Sequence, residues 1–440
     1  MSNPVVHAGH NGVAITRRTT SGAGFRTYEV HQRERVGEST AKVKPGQFMA
    51  AQFAIDPYPL LATLRENYPC YRNWLTNDYW ITRYDDVTSV FVDDANFVTR
   101  PKRWYYASES YGHDLGGTIE VLQSHAEYVD SHVESAATRM VVDLLSAGHA
   151  DLASGFAARL PLELLVGWLD LPDEDISWFV ERYWQLQHGA HWQPRAQQAG
   201  LVAMRELTHF FAPLLVARRD TSGTDLVSTI ARMATATGAA RAEDLVITLL
   251  EWDHATLHGA LGNLWYLLLT EPQALDHLRQ ERWQIRYAYL EALRHSTPVL
   301  TAQRFARHEV ERFGRLLPAG ALLMCAAAAA NRDPRVFHEP DRFVIGRKDL
   351  CQREPRGQYR ADGLASGIAF GLGQPSRHPA VPEDRPRSLY AITRDLAVTA
   401  SAVLLDMTTH IELADDAATL RSPRLHDMHT CAPLRVLLRA

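Results

Sequence analysis

The stretch YLEALRHSTPV, from Tyr289 to Val299, carries the charge pattern on which the choice of fold depends. Its Glu291 and Arg294 stand three residues apart. Side chains at i and i+3 lie on one face of a helix, so these two can form an ion pair. Charged pairs at this spacing are usually solvated surface pairs. This pair indicates a particular fold only in combination with the stretches that follow it in the chain.

Two further stretches follow in order. NRDPRVFHEPDRFVIGR runs from Asn331 to Arg347, and AFGLGQPSRHPA runs from Ala369 to Ala380. The second has two glycines after a phenylalanine and prolines that stiffen the backbone. A helical pattern from Leu389 to Leu405 begins shortly afterwards. Such a loop is suited to presenting a cofactor ligand, although it contains no cysteine.

Taken in order, the three stretches resemble the cytochrome P-450 superfamily of haem-thiolate monooxygenases, and DPYPLLATLREN (56–67) resembles its bacterial members. The resemblance covers roughly residues 50 to 440 and implies a mainly α fold with a smaller β portion, the cytochrome P-450-like fold. In this family a third charged residue joins the E-x-x-R pair, and Arg342 stands at that place. We therefore expect a buried structural triad of Glu291, Arg294 and Arg342.

The loop departs from the family's FGxGxHxCxG pattern at the residue that binds iron. Phe370, Gly371 and Gly373 keep its beginning, but Arg377 stands where the family has the cysteine. Arginine has only hydrogen-bond donors and a fixed positive charge, so it does not ligate iron. Without a thiolate the electron push for oxygen–oxygen cleavage is lost. His378 is a conceivable substitute ligand, but one residue further along a rigid loop it points elsewhere.

The central helix departs from the family as well. An apolar pattern from Ala242 to Pro272 predicts one continuous, buried helix. The family has small residues there, followed by an acid and a threonine that deliver protons to bound oxygen. Here Trp252 stands at the glycine position, His254 replaces the acid and Ala255 removes the hydroxyl. These changes remove the groups that the family uses to activate oxygen.

The residues that hold the haem propionates are only partly kept. His125 lies on a helix that resembles the family's propionate-binding helix, but Val129 or Asp130 falls where its arginine is expected. Arg304, in TAQRFA, matches a second propionate-binding arginine. Trp252, Ala255 and Arg304 would line the pocket. From these departures we predict that the fold is kept, that haem is absent and that the chain has no cofactor.

Three polar residues are predicted to face the vacated pocket. On one continuous helix Glu251, His254 and His258 would share a narrow face at about 100° per residue. They could act as catalytic acid and base, or hold a divalent metal as the weaker alternative. Polar packing without chemistry is the other interpretation. Trp184 and Phe210 lie where the family's lid helices cover the substrate.

Composition limits the other classes of function. The 440 residues carry a net charge of −5, and 46% of them are hydrophobic. This balance favours neither nucleic-acid binding nor attachment to an anionic membrane. The four cysteines are far apart, with no CxxC pair, and the polar N-terminus has no apolar signal core. We predict a cytoplasmic protein with no membrane and no nucleic-acid partner, built from a flexible extension (1–45) and a single cytochrome P-450-like domain (46–440).

Three functions remain open from the sequence. The first is a haem-free auxiliary protein without monooxygenase activity that supports a partner, such as a glycosyltransferase of a natural-product pathway. The second is an enzyme, an isomerase, lyase or hydrolase, that reuses the pocket through Glu251, His254 and His258 and takes a small hydrophobic ligand. The third is a haem-binding oxidoreductase with atypical ligation. An exposed apolar face would favour the first, and a closed polar cavity at His254 the second.

Overall fold

Most of the described chain is helical. The computed structural model describes residues 42–91, 93–98, 112–189, 194–235, 238–252, 254–350, 387, 389–414 and 429–440. The helices within these ranges are α1 (Ala51–Ile55), α2 (Tyr58–Asn67), α3 (Tyr84–Phe91), α4 (Ile119–Ala147), α5 (Arg159–Leu169), α6 (Asp173–His188), α7 (Pro194–Arg218), α8 (Leu226–Ala231), α9 (Ala242–Glu251), α10 (His254–Thr270), α11 (Pro272–Gln280), α12 (Ile285–His295), α13 (Ala327–Ala330) and α14 (Leu389–Met407).

The strands are short and form a smaller β portion. They are β1 (Cys70–Asn73), β2 (Asp78–Ile81), β3 (Phe97–Val98), β4 (His149–Asp151), β5 (Ala234–Thr235), β6 (Gly238–Ala239), β7 (Ala302–Ala306), β8 (Val310–Arg312), β9 (Arg315–Leu317), β10 (Leu322–Cys325), β11 (His410–Leu413) and β12 (Arg435–Arg439). In the described residues they pair as a five-stranded sheet, β1-β2-β10-β7-β3, a three-stranded sheet, β11-β12-β4, and two hairpins, β5-β6 and β8-β9. The predicted mainly α fold with a smaller β portion is confirmed.

The five-stranded sheet fixes the position of Arg304. β10 pairs in parallel with β2 and antiparallel with β7, where Leu323 lies opposite Arg304. All four residues of β2 are buried, because the sheet has packed side chains on both faces here. Arg304 is therefore held in the interior of the sheet and not on its edge.

Two large apolar clusters make up the helical core. One is formed mainly by α4, α10, α12 and α14, and the other by α5, α6, α7, α8 and α9. Trp252 and Tyr128 pack against both clusters. Trp252 lies between α9 and α10 and therefore links the two parts of the core.

The predicted continuous helix from Ala242 to Pro272 is wrong at its centre. α9 ends at Glu251, Trp252 has an extended backbone with φ −60° and ψ 143°, and α10 begins at His254. The described residues at the break include no proline, so backbone chemistry does not impose it. The aromatic contacts of Trp252 described below are the competing force, since tertiary packing readily overrides helix propensity.

The domain boundary predicted at residue 45 falls next to residues that the structure does not describe. From Val43 to Ala440 the chain forms one compact unit. Residues 1–41, most of the extension expected over 1–45, lie outside the described residues. The predicted division at residue 45 therefore stays a prediction.

One described helix, α7, is long and apolar enough to cross a membrane by length and composition. One third of its most apolar window is buried in the protein, and α7 packs on α6 and α9. A single helix of this kind is weak evidence for a membrane span, because core helices pass the same test. The expected cytoplasmic location stays a prediction.

Candidate functional site

A buried ion pair on α12 ties the long irregular stretch after α13 to the helical core. Arg294 donates from Nε to Glu291 Oε2 at 2.7 Å and from Nη2 to Oε1 at 2.8 Å, and both side chains are fully buried. The Nη1 group of Arg294 donates to the carbonyl oxygens of Asn331 and Pro340 at 2.9 and 2.7 Å. A bidentate pair with these extra hydrogen bonds satisfies the buried charges. The predicted Glu291–Arg294 pair is therefore formed.

The third member of the triad is Arg347, and the prediction of Arg342 is wrong. Arg347 Nε lies 3.1 Å from Glu291 Oε1, and its side chain is 4% exposed. The side chain of Arg342 is 68% exposed and pairs with Glu339 instead. Glu339 and Gly346 have positive φ angles of 42° and 71°, and these two bends turn Arg342 outward and Arg347 inward.

Arg347 also brings its own counter-charge. Its Nη1 lies 3.0 Å from Asp349 Oδ2, and the backbone N–H of Val344 donates to Glu291 Oε1 at 3.0 Å. Two arginines and two carboxylates thus balance in the buried network. Arg347 is the last residue of the stretch Asn331–Arg347 described in the sequence analysis. The backbone bend at Gly346 directs its side chain toward Glu291.

Trp252 fills an aromatic niche against α4 and α5. The ring of His125 stacks on Trp168 with centroids 4.7 Å apart and meets Trp252 edge-on at 4.6 Å. Trp168 in turn donates to Ser124 Oγ at 2.8 Å. Burial, and to a smaller degree the charge of Arg387, lower the pKa of His125 from 6.5 to about 3. His125 is therefore a neutral packing group between two tryptophans.

The family's propionate-binding arginine is expected at the position of Val129 or Asp130 on α4. In the structure an arginine from another part of the chain contacts Asp130. Arg387, which lies just before α14, donates from Nη2 to Asp130 Oδ2 at 2.5 Å and from Nη1 to Asp395 Oδ2 at 3.0 Å. This arginine comes from another part of the chain, so reading α4 alone did not reveal it.

Arg304 is a buried cation on β7. It is 7% exposed, donates from Nη1 to the carbonyl of Gln303 at 2.9 Å and lies over the ring of Phe91 at 4.7 Å. Burial lowers the pKa of Arg304, and the nearby Cys325 and Asp94 oppose this shift. Because the intrinsic pKa of arginine is so high, the side chain stays charged. The described part of the sheet thus holds a charged side chain in its interior.

The break before His254 changes the predicted catalytic cluster. Glu251 ends α9 while His254 and His258 begin α10, so one helical face no longer relates the three residues. The side chains of Glu251 and Ala255 lie outside the described residues. His254 and His258 are each 2% exposed, with ring centroids 6.3 Å apart. The catalytic assignment of this cluster stays a prediction.

The surroundings of His254 are aromatic. Its ring centroid lies 5.5 Å from that of Tyr183 and 5.1 Å from that of Trp184, both on α6. Burial, and secondly His258, lower the pKa of His254 from 6.5 to about 3, so the imidazole is neutral at physiological pH. A general acid or base works best with a pKa near the operating pH, and the pKa of the buried His254 lies well below it. Tyr183 was not singled out in the sequence, although it is one turn from the buried Phe179.

The residues of the degenerate loop, Phe370, Gly371, Gly373, Arg377 and His378, lie outside the described residues. Their assignment rests on the sequence pattern. Within the part of the chain that the structure describes, no group of three or more histidine, cysteine or acidic side chains could hold a metal ion.

Solved structures of cytochromes P-450 match the fold over most of its length. The Bacillus subtilis bacillaene polyketide synthase cytochrome P-450 PksS superposes with a TM-score of 0.72 over 91% of this chain and 100% of that chain, at 22% identity. P450BioI in complex with hexadec-9Z-enoic acid ligated acyl carrier protein gives 0.72 over 88% and 100%, at 21% identity. The fold of this chain is therefore the cytochrome P-450 fold.

Sequence comparison leads to the same family. 6-Deoxyerythronolide B hydroxylase of Saccharopolyspora erythraea is 28% identical over 358 residues, which cover 73% of this chain and 85% of the relative. The cytochrome P-450 monooxygenase PikC of Streptomyces venezuelae is 27% identical over 355 residues, which cover 74% and 82%. No family model matches the chain. Fold and relatives together show that the chain is similar to bacterial cytochromes P-450 in both sequence and structure.

This finding corrects the expected absence of a cofactor. The relatives and the matching structures are cytochromes P-450, which bind haem, so the comparisons point to haem and the prediction of a chain without a cofactor is wrong. Arg304 fits such a group, because a buried guanidinium can pair with a haem carboxylate. The expectation that Arg377 stands at the position of the thiolate cysteine rests on the sequence pattern and stays a prediction.

Proposed function

We propose that this chain is an auxiliary protein of a natural-product pathway, a cytochrome P-450 homologue that supports a partner enzyme and does not catalyse thiolate-dependent oxygenation. The observation that carries the proposal is the break of the central helix at Trp252. Where the family keeps small residues beside bound oxygen, this chain places a tryptophan that packs against His125 and Trp168. Arg377 at the cysteine position supports the same conclusion.

The buried charge network supports a scaffold role for the fold. Glu291, Arg294 and Arg347 remain fully paired, so the structural core of the family is kept while its oxygen-activating residues are changed. The partner we propose is a glycosyltransferase of the same pathway. The P450BioI complex with an acyl carrier protein is a solved example of a cytochrome P-450 that binds a protein partner.

A second candidate function is a haem-binding oxidoreductase with atypical ligation. Arg304 favours it, because a buried arginine that keeps its place on β7 is suited to a haem carboxylate. Haem binding and partner binding are compatible, so the decisive difference between the two candidates is whether the chain itself oxidises a substrate.

The test is reconstitution with the glycosyltransferase of the same gene cluster. We expect a stable complex in size-exclusion chromatography with light scattering, and we expect transferase activity to fall to background when this chain is omitted. The matched control is Arg377→Cys, which restores the thiolate position and is expected to leave transferase activation unchanged. When haem-loaded wild type is reduced and exposed to carbon monoxide, its absorption spectrum should lack the band of a thiolate-ligated haem.

Two results would contradict the proposal. One is a glycosyltransferase that is equally active without this chain. The other is substrate oxidation by the haem-loaded protein with a reductant, which would select the oxidoreductase instead.

A further inference from the structure

A cavity of about 350 Å³ lies where the start of α4 meets the end of α8. Its lining residues are Thr118, Glu120, Thr229, Arg232, Met233 and Ala234. None of them belongs to the sites described above. The volume is at the lower end of the range for small-molecule sites, which is about 300–1,000 Å³. The cavity therefore has room for one small molecule.

Thr229 gives the cavity a buried hydroxyl group without a partner. The residue is 6% exposed, and its backbone N–H donates to the carbonyl of Asp225 at 2.9 Å. The hydroxyl itself has no hydrogen-bond partner among the residues that the structure describes. Buried threonines elsewhere in the helices do have one, since the hydroxyl of Thr248 donates to the carbonyl of Asp244 at 2.8 Å. The hydroxyl of Thr229 is thus free to bond a molecule in the cavity that it lines.

The start of α4 adds backbone donors. The first N–H groups of a helix have no acceptor within the helix. Thr118 is the N-cap residue of α4, but its side chain makes no capping hydrogen bond and donates instead to the carbonyl of Leu115 at 2.6 Å. The dipole of a helix also favours negative charge at this end. Together with the hydroxyl of Thr229, these donors suit a carboxylate.

The cavity holds one cationic and one anionic side chain. Arg232 donates from Nη1 and Nη2 to the carbonyl oxygens of Thr221 and Gly223 at 2.9 and 2.8 Å. Both acceptors are neutral, so they hold the guanidinium in place without compensating its charge, and further donors remain for a ligand. Glu120 brings a carboxylate to the same cavity. A ligand with one positive and one negative group matches this pair better than a simple anion or a simple cation does.

We propose that the cavity between α4 and α8 binds a zwitterionic α-amino acid with an apolar side chain. The carboxylate of the ligand accepts from Thr229, Arg232 and the first N–H groups of α4. Its ammonium group pairs with Glu120, and its side chain packs against Met233. The site requires neither haem nor a partner enzyme, so its failure in the test below would leave the proposed auxiliary function untouched.

Three probes with one carbon skeleton test the requirement for both charges. L-Leucine has both, 4-methylpentanoate lacks the ammonium group and 3-methylbutylamine lacks the carboxylate. Isothermal titration calorimetry of the full chain at low ionic strength should give at least about tenfold tighter binding of L-leucine than of either other probe, because charge-assisted hydrogen bonds form at both ends of the zwitterion.

Two variants assign the two ends of the ligand. Thr229→Val keeps the shape of the side chain and should weaken L-leucine binding about fivefold, whereas Thr138→Val, further along α4, should leave it unchanged. Glu120→Gln should bring the affinity for L-leucine to within about twofold of that for 4-methylpentanoate, because the ammonium group loses its counter-charge. Glu134→Gln, also on α4, is the matched control and should keep the wild-type difference.

Stability provides a second, independent measurement. Because the hydroxyl of Thr229 has no partner in the free protein, Thr229→Val should be at least as stable as wild type in urea unfolding.

The proposal is overturned if L-leucine does not bind, if the three probes bind equally, or if Glu120→Gln binds L-leucine as wild type does. It is also overturned if Thr229→Val is less stable than wild type, because the hydroxyl would then have a structural partner such as a trapped water molecule.

Discussion

The network around Glu291 and the pair of Tyr183 and His254 are both buried and polar, but only the first has its hydrogen bonds satisfied. Glu291 receives two arginines and a backbone N–H, and Arg294 fills its remaining donors with carbonyl oxygens. Tyr183 and the ring nitrogens of His254 have no such partners among the described residues. Full satisfaction lets a buried network stabilise the fold, whereas a buried polar group without a partner destabilises it.

The largest effect is expected from breaking the satisfied network. Arg347→Met removes one charge from Glu291 and leaves Asp349 without its arginine, so the free energy of unfolding should fall by about 3 kcal/mol. The exposed Arg342, five residues earlier, pairs only with Glu339, and Arg342→Met should cost less than about 0.5 kcal/mol. Urea unfolding of the two variants measures the difference in their free energies of unfolding. Equal losses would contradict the assignment of Arg347 as the third member of the triad.

The Glu291–Arg294 pair could be predicted because its geometry is local. Two residues three positions apart on one helix share a face whatever the rest of the chain does. The choice between Arg342 and Arg347 depends on the backbone bends at Glu339 and Gly346, which the motif does not specify. Sequence reasoning therefore found the network but assigned its third member to the wrong arginine.

The break in the central helix could not be predicted, because its cause is not local in the sequence. The apolar pattern from Ala242 to Pro272 continues through Trp252, so periodicity alone gives one helix. The break arises from contacts of Trp252 with His125 and Trp168, which belong to α4 and α5 and are distant in sequence. The predicted common face of Glu251 and His254 failed for the same reason. Tyr183 was missed because its ring contact with His254 on α10 is visible only in three dimensions.

Acid should weaken the molecule through its buried histidines. The folded-state pKa values of His254 and His125 are each lowered to about 3, below the 6.5 of the unfolded chain. The unfolded state therefore binds more protons between these values, and stability falls as pH decreases through this window. At about 1.4 kcal/mol per pH unit, each histidine should cost about 2 kcal/mol between pH 6.5 and 5.

Urea unfolding across this pH range measures the loss. His254→Phe and His125→Phe should each reduce the acid sensitivity, since each takes away one proton-binding difference. A wild-type protein whose unfolding free energy does not change between pH 6.5 and 5 would show that these rings are not buried as neutral groups.

The smallest effect is expected from a third polar arrangement, which is satisfied but exposed. Arg387 bridges Asp130 on α4 to Asp395 on α14, and the side chains of Arg387 and Asp130 are 35% and 57% exposed. Solvent screens such pairs, so a double-mutant cycle between Asp130→Asn and Arg387→Gln should give a coupling energy below about 1 kcal/mol, and less in high salt. A coupling as large as the loss in Arg347→Met would mean that exposure does not separate the two networks, and that the bridge between α4 and α14 holds the core as firmly as the buried charges do.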